Sequence, residues 1–315
     1  MSDKLKVAVF GVGNLGQWHA AKFAAIEDAE LVGVFDVDPA RAAEIAEKNG
    51  TQAFEDMDAL AKVADAASVV VPTHLHYDTF HKLADHDLHM LVEKPIAAAT
   101  AEAEAMVALA REKNLILQVG HIERFNPVMQ YLEDNMRDPT FIEAIRMCAY
   151  PPFREGAPPR GTEVSVVLDM MIHDLELILH LVHSPVEDIR AFGVAVMSPS
   201  EDIADVRLRF QNGCVANLTA SRISAEQMRT ITVFQDDTYA ALDYGKQAGT
   251  LHRKGPDGMH VVDIPTEKGD QLENELRAFV ECVRTQGEPV VTGEQGSKAL
   301  QLAADICRVI ETNPS

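Results

Sequence analysis

The chain is short of several things at once. It has no run of 18 apolar residues, four cysteines in 315 residues, one tryptophan, and only 28 Lys and Arg against 49 Asp and Glu. Without a long apolar run no helix is expected to span a bilayer. Residues 1 to 5 reach the first strand with no apolar signal segment, so a cytoplasmic location is expected. The formal net charge of -21 makes DNA, RNA and anionic membranes poor partners, because none gains by meeting an acidic surface. An anionic substrate would need a local arginine cluster to hold it. Cys148, Cys214, Cys282 and Cys307 stand far apart without paired spacing, which points to reduced thiols rather than a disulfide or zinc framework. What the chain does have is 47% hydrophobic content over a length that suits two domains, and neither an internal repeat nor a low-complexity segment.

Lys6 to Phe10 reads as a strand running into Gly11-Val12-Gly13-Asn14-Leu15-Gly16, with a helical pattern following through Ile26. Strand, glycine turn and helix in that order make a dinucleotide site. Gly11 permits the tight turn, Gly13 lets backbone approach a pyrophosphate, and Gly16 lets the helix pack on the strand. A second strand, Leu31 to Phe35, ends in Asp36, 20 residues beyond Gly16, where a carboxylate suits the adenosine ribose hydroxyls and repels a 2′-phosphate. NAD is therefore expected over NADP, with Arg41 near enough to soften the preference. A structural turn followed by a solvated Asp is the plainer alternative.

Helices and buried strands alternate up to Val119, and the strands stop at Pro72-Thr73, at Glu93-Lys94-Pro95 and at Gly120-His121. Ligands sit beyond the carboxyl ends of such strands. The expected fold is α/β, with an N-terminal Rossmann doubly wound parallel sheet over residues 1–121. After His121 the pattern changes to period-two strands with two closing helices, which indicates a C-terminal α+β domain over 122–315 with a large, mostly antiparallel open sheet. Helices on one side of that sheet leave its other face to be covered, so a homo-oligomer is expected. The Pro-rich and Gly-rich segment 151–161 is a candidate for a mobile lid, with a plain connecting loop left open.

One apolar stretch, Val164 to Val182, carries Ser165, Asp169, His173, Glu176 and His180. As a single α-helix it would gather these five side chains within an arc of roughly 80°. An imidazole one turn from a carboxylate suits a general base. A solvated helix face is the alternative. His74 and His76 are too close together on a strand-to-helix turn for a zinc motif, and no metal is expected.

Taken together, the glycine turn, Pro72-Thr73 with His76, Glu93-Lys94-Pro95, and Asp169 with His173 resemble the Gfo/Idh/MocA oxidoreductases over essentially the whole chain. The resemblance implies Lys94, Asp169 and His173 as the catalytic group. It implies Gly11, Gly13, Asn14, Leu15, Gly16, Asp36, Pro72, Thr73, His76, Glu93 and Lys94 as the NAD site. Helices of this family often carry a glycine between the acid and the histidine, whereas Met170-Met171-Ile172 stands here. Residues 120–127, 167–174 and 212–222 resemble more closely the members that oxidise the 3-hydroxyl of UDP-N-acetylglucosamine with NAD. In that group a PLP aminotransferase then aminates the ketone for a diamino sugar of lipid A. On this likeness Lys94, His121, Arg124, Asn126, Arg160 and Arg222 would bind substrate, the arginines supplying charge for a pyrophosphate. For each arginine the alternative is a salt bridge of the fold. Two other functions stay open: a related sugar or polyol dehydrogenase, such as one acting on inositol, and a non-catalytic NAD-binding sensor or scaffold, which would have no need to keep Lys94, Asp169 and His173.

Overall fold

The first strand, β1 (Leu5–Phe10), is buried at every position except Lys6, as a strand covered on both faces must be. In the computed structural model, which describes residues 4–153 and 159–312, it is followed by α1 (Gly16–Ala25), β2 (Ala29–Phe35), α2 (Pro39–Asn49), β3 (Ala53–Phe54), α3 (Met57–Ala61) and β4 (Ala66–Val69). Then come α4 (His76–Ala84), β5 (His89–Glu93), α5 (Thr100–Glu112) and β6 (Leu117–Gly120). The six strands are parallel in the order β3-β2-β1-β4-β5-β6. The order reverses between β1 and β4, which opens a crevice beyond their carboxyl ends. Helix starts follow local chemistry. Asp38 caps α2 by accepting from the Ala40 and Arg41 N–H groups, Pro39 occupies the first turn, and Gly50 ends the helix at φ 65°.

The second unit contains α6 (Pro127–Asn135), β7 (Phe141–Met147), α7 (Ile172–Val182), β8 (Val186–Val194), β9 (Ile203–Phe210) and β10 (Val215–Ser221). It continues with β11 (Met228–Gln235), β12 (Thr238–Asp243), β13 (Ala248–Gly255) and β14 (Gly258–Asp263). Its sheet has eight strands in the order β14-β13-β12-β11-β7-β10-β9-β8, antiparallel throughout except where β10 runs parallel to β7. Period-two alternation is plain in β9, where Ala204, Val206, Leu208 and Phe210 are buried and the residues between are exposed. β8 ends at Val194, and beyond it the Asp202 carboxylate takes the N–H groups of Val196, Met197 and Ser198. Residues 154–158 of the candidate lid lie outside the described residues.

The expected boundary at residue 121 needs one correction. The first unit runs through Ile122 and also takes Asp270–Ser297, so it includes α8 (Gln271–Thr285), while the second comprises Glu123–Gly269 and the chain from Lys298. α8 belongs with the parallel sheet because Leu276, Phe279, Val280 and Val283, at helical spacing, join the core formed by Val7, Val9, Phe23, Val34 and Leu91. Lys22 of α1 also pairs with Asp270 and Glu273. The last helix, α9 (Gly293–Thr312), contains the third crossing, at Ser297–Lys298.

Candidate functional site

The glycine turn after β1 is built to bring backbone close to a ligand. Gly11 has φ 85°, and a Cβ there would lie 2.7 Å from Val70 O. A Cβ on Gly16 would press on the Gly11 carbonyl, 2.9 Å from its carbon, so α1 can dock on the turn only with glycine there. Gly13 faces open space on its Cβ side, and Gly13, Asn14 and Leu15 are exposed at the start of α1. The first turn of α1 carries no acidic residue, which leaves its dipole available to a phosphate. Asp36 sits at the end of β2, accepting from Val12 N at 2.8 Å and from Asp38 N at 3.0 Å. The Arg41 guanidinium is held by Val12 O (2.9 Å), Gln17 Oε1 (2.9 Å) and Glu44 (2.8 Å). These residues fit NAD: exposed amides for a pyrophosphate, and a carboxylate at the strand end for the ribose. Asp36→Ala removes the acceptor of Val12 N together with the carboxylate expected at the ribose, so NAD affinity should fall by about tenfold or more and the gap to NADP should narrow. Titrating both cofactors by fluorescence checks this, and a wild-type protein that already prefers NADP would refute it.

The other strand ends of this unit form a second cluster. Pro72 is exposed and Thr73 half-buried, at the turn into α4. His76, expected at the cofactor, is only 1% exposed. Its Nδ1 lies 2.9 Å from Pro95 O and its Nε2 3.0 Å from Val71 O, and burial pushes its pKa down. It ties the turn after β4 to the turn after β5 and presents no ring nitrogen to a ligand. The Glu93 carboxylate accepts from Lys94 N (3.1 Å) and meets His19 Nε2 (3.2 Å), while His19 Nδ1 reaches Ser68 Oγ (2.8 Å). Burial acts to raise the Glu93 carboxyl, but His19 and Lys94 together hold it below the ordinary range. Lys94 itself is half-buried at the end of β5. His121, at the end of β6, is 1% exposed, so it does not offer the surface contact expected of a substrate ligand.

Sequence reasoning missed Glu275, a carboxyl on α8 with no exposed surface and, among the described residues, no hydrogen-bond partner for either oxygen. Burial first, and the charge of Glu93 second, push it well above the ordinary carboxyl range. The unfolded chain releases this proton near the reference value of about 4.3, while the native chain keeps it to higher pH. The native state therefore binds more protons above that value, and stability falls as pH rises through the window. Glu275→Gln, a neutral side chain of the same shape, should raise Tm at pH 8 and leave it nearly unchanged at pH 4. An equal Tm difference at both pH values would contradict a protonated Glu275.

In the second unit the striped segment is not one regular helix. Ser165 stands before it as a cap, its Oγ accepting from Val167 N at 3.2 Å. Val167–Met171 then forms a π-helical turn, and only from Ile172 does α7 run as α-helix. The i→i+5 bonding of a π turn widens the helix and lowers the rotation per residue, so the expected 80° arc does not describe the whole stretch. The turn contains Asp169, Met170 and Met171. Asp169 and His173 are both half-buried, and Gly161, at φ 80°, lies so close that a Cβ on it would sit 2.9 Å from Asp169 Cγ. The rest of the stripe is structural. Glu176 is buried against Arg124 Nη1 (2.9 Å), with burial outweighing that cation to raise its pKa, and His180 pairs with Glu133 (3.2 Å).

Three expected substrate ligands are corrected by their packing. Arg124 is buried between Glu176 and Glu133. Asn126 is fully buried, giving its amide N–H to Tyr244 O and accepting from Val128 N as the cap of α6. Arg222 is 1% exposed and paired with Asp202 at 2.8 Å. Only Arg160 of the three arginines is exposed. Asp174, beside His173, was also missed. It accepts twice from Arg146, at 2.9 and 3.1 Å, and once from the Tyr244 hydroxyl, and Arg146 Nη2 reaches Glu123 at 3.1 Å. This knot fixes the azimuth of α7 and hence of His173. An acid in an apolar helix and an arginine in an alternating strand were the available signals. Among the described residues no group of three His, Cys, Asp or Glu side chains gathers as a metal would need, and no helix is long and apolar enough to cross a membrane.

Comparison with known proteins agrees with this construction. Residues 5–121 match the oxidoreductase family with the NAD-binding Rossmann fold, and residues 139–239 match the GFO/IDH/MocA C-terminal domain. UDP-N-acetylglucosamine 3-dehydrogenase of Acidithiobacillus ferrooxidans is 36% identical over 98% of this chain and 97% of its own. A solved structure of that enzyme superposes with a TM-score of 0.92 at 34% identity, covering 98% of each chain. Myo-inositol 2-dehydrogenase of Thermotoga maritima is 26% identical over 95% of this chain and 94% of its own. The chain therefore belongs to the Gfo/Idh/MocA oxidoreductases, as an enzyme whose N-terminal domain binds NAD.

Proposed function

We propose that the protein oxidises the 3-hydroxyl of UDP-N-acetylglucosamine to the 3-keto nucleotide sugar. The observation that carries this is full-length similarity to an enzyme of that name, 36% identical over 98% of this chain. NAD supplies the acceptor for the hydride leaving the sugar carbon. His173 takes the hydroxyl proton as general base, Asp169 orients the imidazole and favours its charged form, and Lys94 holds the hydroxyl and offsets negative charge growing on oxygen. With Arg124 and Arg222 committed to internal carboxylates, Arg160 is the cation proposed for the pyrophosphate. The enzyme works in the cytoplasm with its cysteines as thiols, and it passes its ketone to a PLP aminotransferase on the way to a lipid A diamino sugar. Phe192, Val194, Met259, Val261 and Val262 are exposed on β8 and β14, the two edge strands of the large sheet, which supports a homo-oligomer built on that sheet.

The Thermotoga maritima relative supports a second reading, oxidation of an inositol. An absorbance assay of NADH formation across UDP-N-acetylglucosamine, N-acetylglucosamine, myo-inositol and scyllo-inositol separates the two. The nucleotide sugar should be turned over with the highest kcat/KM, and added UDP should compete with it. Equal or faster turnover of an inositol would replace the proposed substrate.

A further inference from the structure

We propose that Gly161 and Arg222 are positioning residues that together set the Asp169 carboxylate against His173, an inference that rests on the role given to Asp169 above. The Arg222 guanidinium spends all five donors inside the second unit. Nε goes to Asp202 Oδ1 (2.8 Å), Nη1 to the carbonyls of Gly161 (2.7 Å) and Val164 (2.9 Å), and Nη2 to the hydroxyls of Ser198 (2.8 Å) and Ser200 (3.0 Å). Ser200 Oγ donates in turn to Val164 O (2.8 Å), and Val166 N donates to Glu201 O (2.9 Å). Asp202, without exposed surface, accepts from the N–H groups of Val196, Met197 and Ser198. The chain entering the catalytic helix is thus clamped to one buried ion pair, and the clamp grips the main chain of Gly161.

Gly161 is where this clamp meets the site. A Cβ built on it would overlap the Asp169 carboxylate, 2.9 Å from Cγ, and its φ of 80° is one that other residues rarely adopt. The carboxylate is consequently walled on one side by main chain whose position Arg222 fixes. Nothing in this arrangement requires Arg222 to touch substrate.

A double-mutant cycle tests this, using Gly161→Ala, Asp169→Asn and the pair, with kcat, both KM values, NADH affinity and Tm measured for each. Gly161→Ala displaces the carboxylate, and a misplacement near 1 Å lowers kcat by about 10²-fold. KM and NADH affinity should stay within about twofold, because the displaced group acts on the chemical step and not on binding. In the Asp169→Asn background the same glycine change should cost less than about threefold, since its target is already lost. Arg222→Lys retains a charge for Asp202, but a compact ammonium cannot span Asp202 and both carbonyls. It should show the same coupling with a smaller loss in kcat. If the Gly161 and Asp169 effects multiply, or if Gly161→Ala changes KM and leaves kcat intact, the positioning role is wrong. If Asp169→Asn alone keeps wild-type kcat, the fault lies in the role assigned to Asp169.

Discussion

His173→Ala should lower kcat by about 10² to 10⁴, with NADH affinity and Tm close to those of the wild-type protein, since general-base assistance is of that size. The fold should tolerate the change because α7 is anchored by its neighbours. Asp174 is gripped by Arg146 and Tyr244, and Leu175, Ile178, Leu181 and Val182 fill the core. The NAD contacts expected of the glycine turn and Asp36 do not involve this side chain and should be untouched. The measurement is steady-state turnover beside a fluorescence titration with NADH. Turnover within threefold of wild type would return His173 to a structural role.

Arg222→Ala and Arg124→Ala should each destabilise the protein by about 3–5 kcal/mol, because removing one member of a buried ion pair leaves the other charge buried and unpaired. Asp202 has no exposed surface, and hydrogen bonds from Ser198 and Arg222 outweigh burial to hold its carboxyl well below the ordinary range. Glu176 is nearly as buried, but its pKa is already raised, so it can take a proton when Arg124 is removed. Arg124→Ala should therefore be the milder of the two at low pH. Denaturant unfolding measures both. A variant that folds as stably as wild type but binds nucleotide sugar poorly would restore the arginine to the substrate site.

These two arginines show where the sequence stops being legible. Gly11, Gly13, Gly16 and Asp36 could be placed in the fold from sequence because their positions follow local order, strand then turn then helix, which spacing records directly. The large sheet was legible for a similar reason, as alternation such as Val206-Arg207-Leu208-Arg209-Phe210 reports one buried face. Charged residues carry no such local record. Whether Arg222 meets a pyrophosphate or Asp202 depends on side chains 20 residues away, and Arg124 finds Glu176 across 52. Gly161 and the α8 segment were missed likewise, one because its neighbour is eight positions on, the other because an amphipathic helix does not state which sheet it covers. The π turn at Val167–Met171 left no signal in a period read at 100° per residue.

The central claim, that NAD takes hydride from carbon 3 of UDP-N-acetylglucosamine, is tested most directly with substrate deuterated at that carbon. Incubated with NAD, the enzyme should form reduced nicotinamide carrying the deuterium, together with a 3-keto nucleotide sugar, and His173→Ala should form both far more slowly. Reduced nicotinamide without deuterium, or none from this substrate under conditions where an inositol is oxidised, would contradict it.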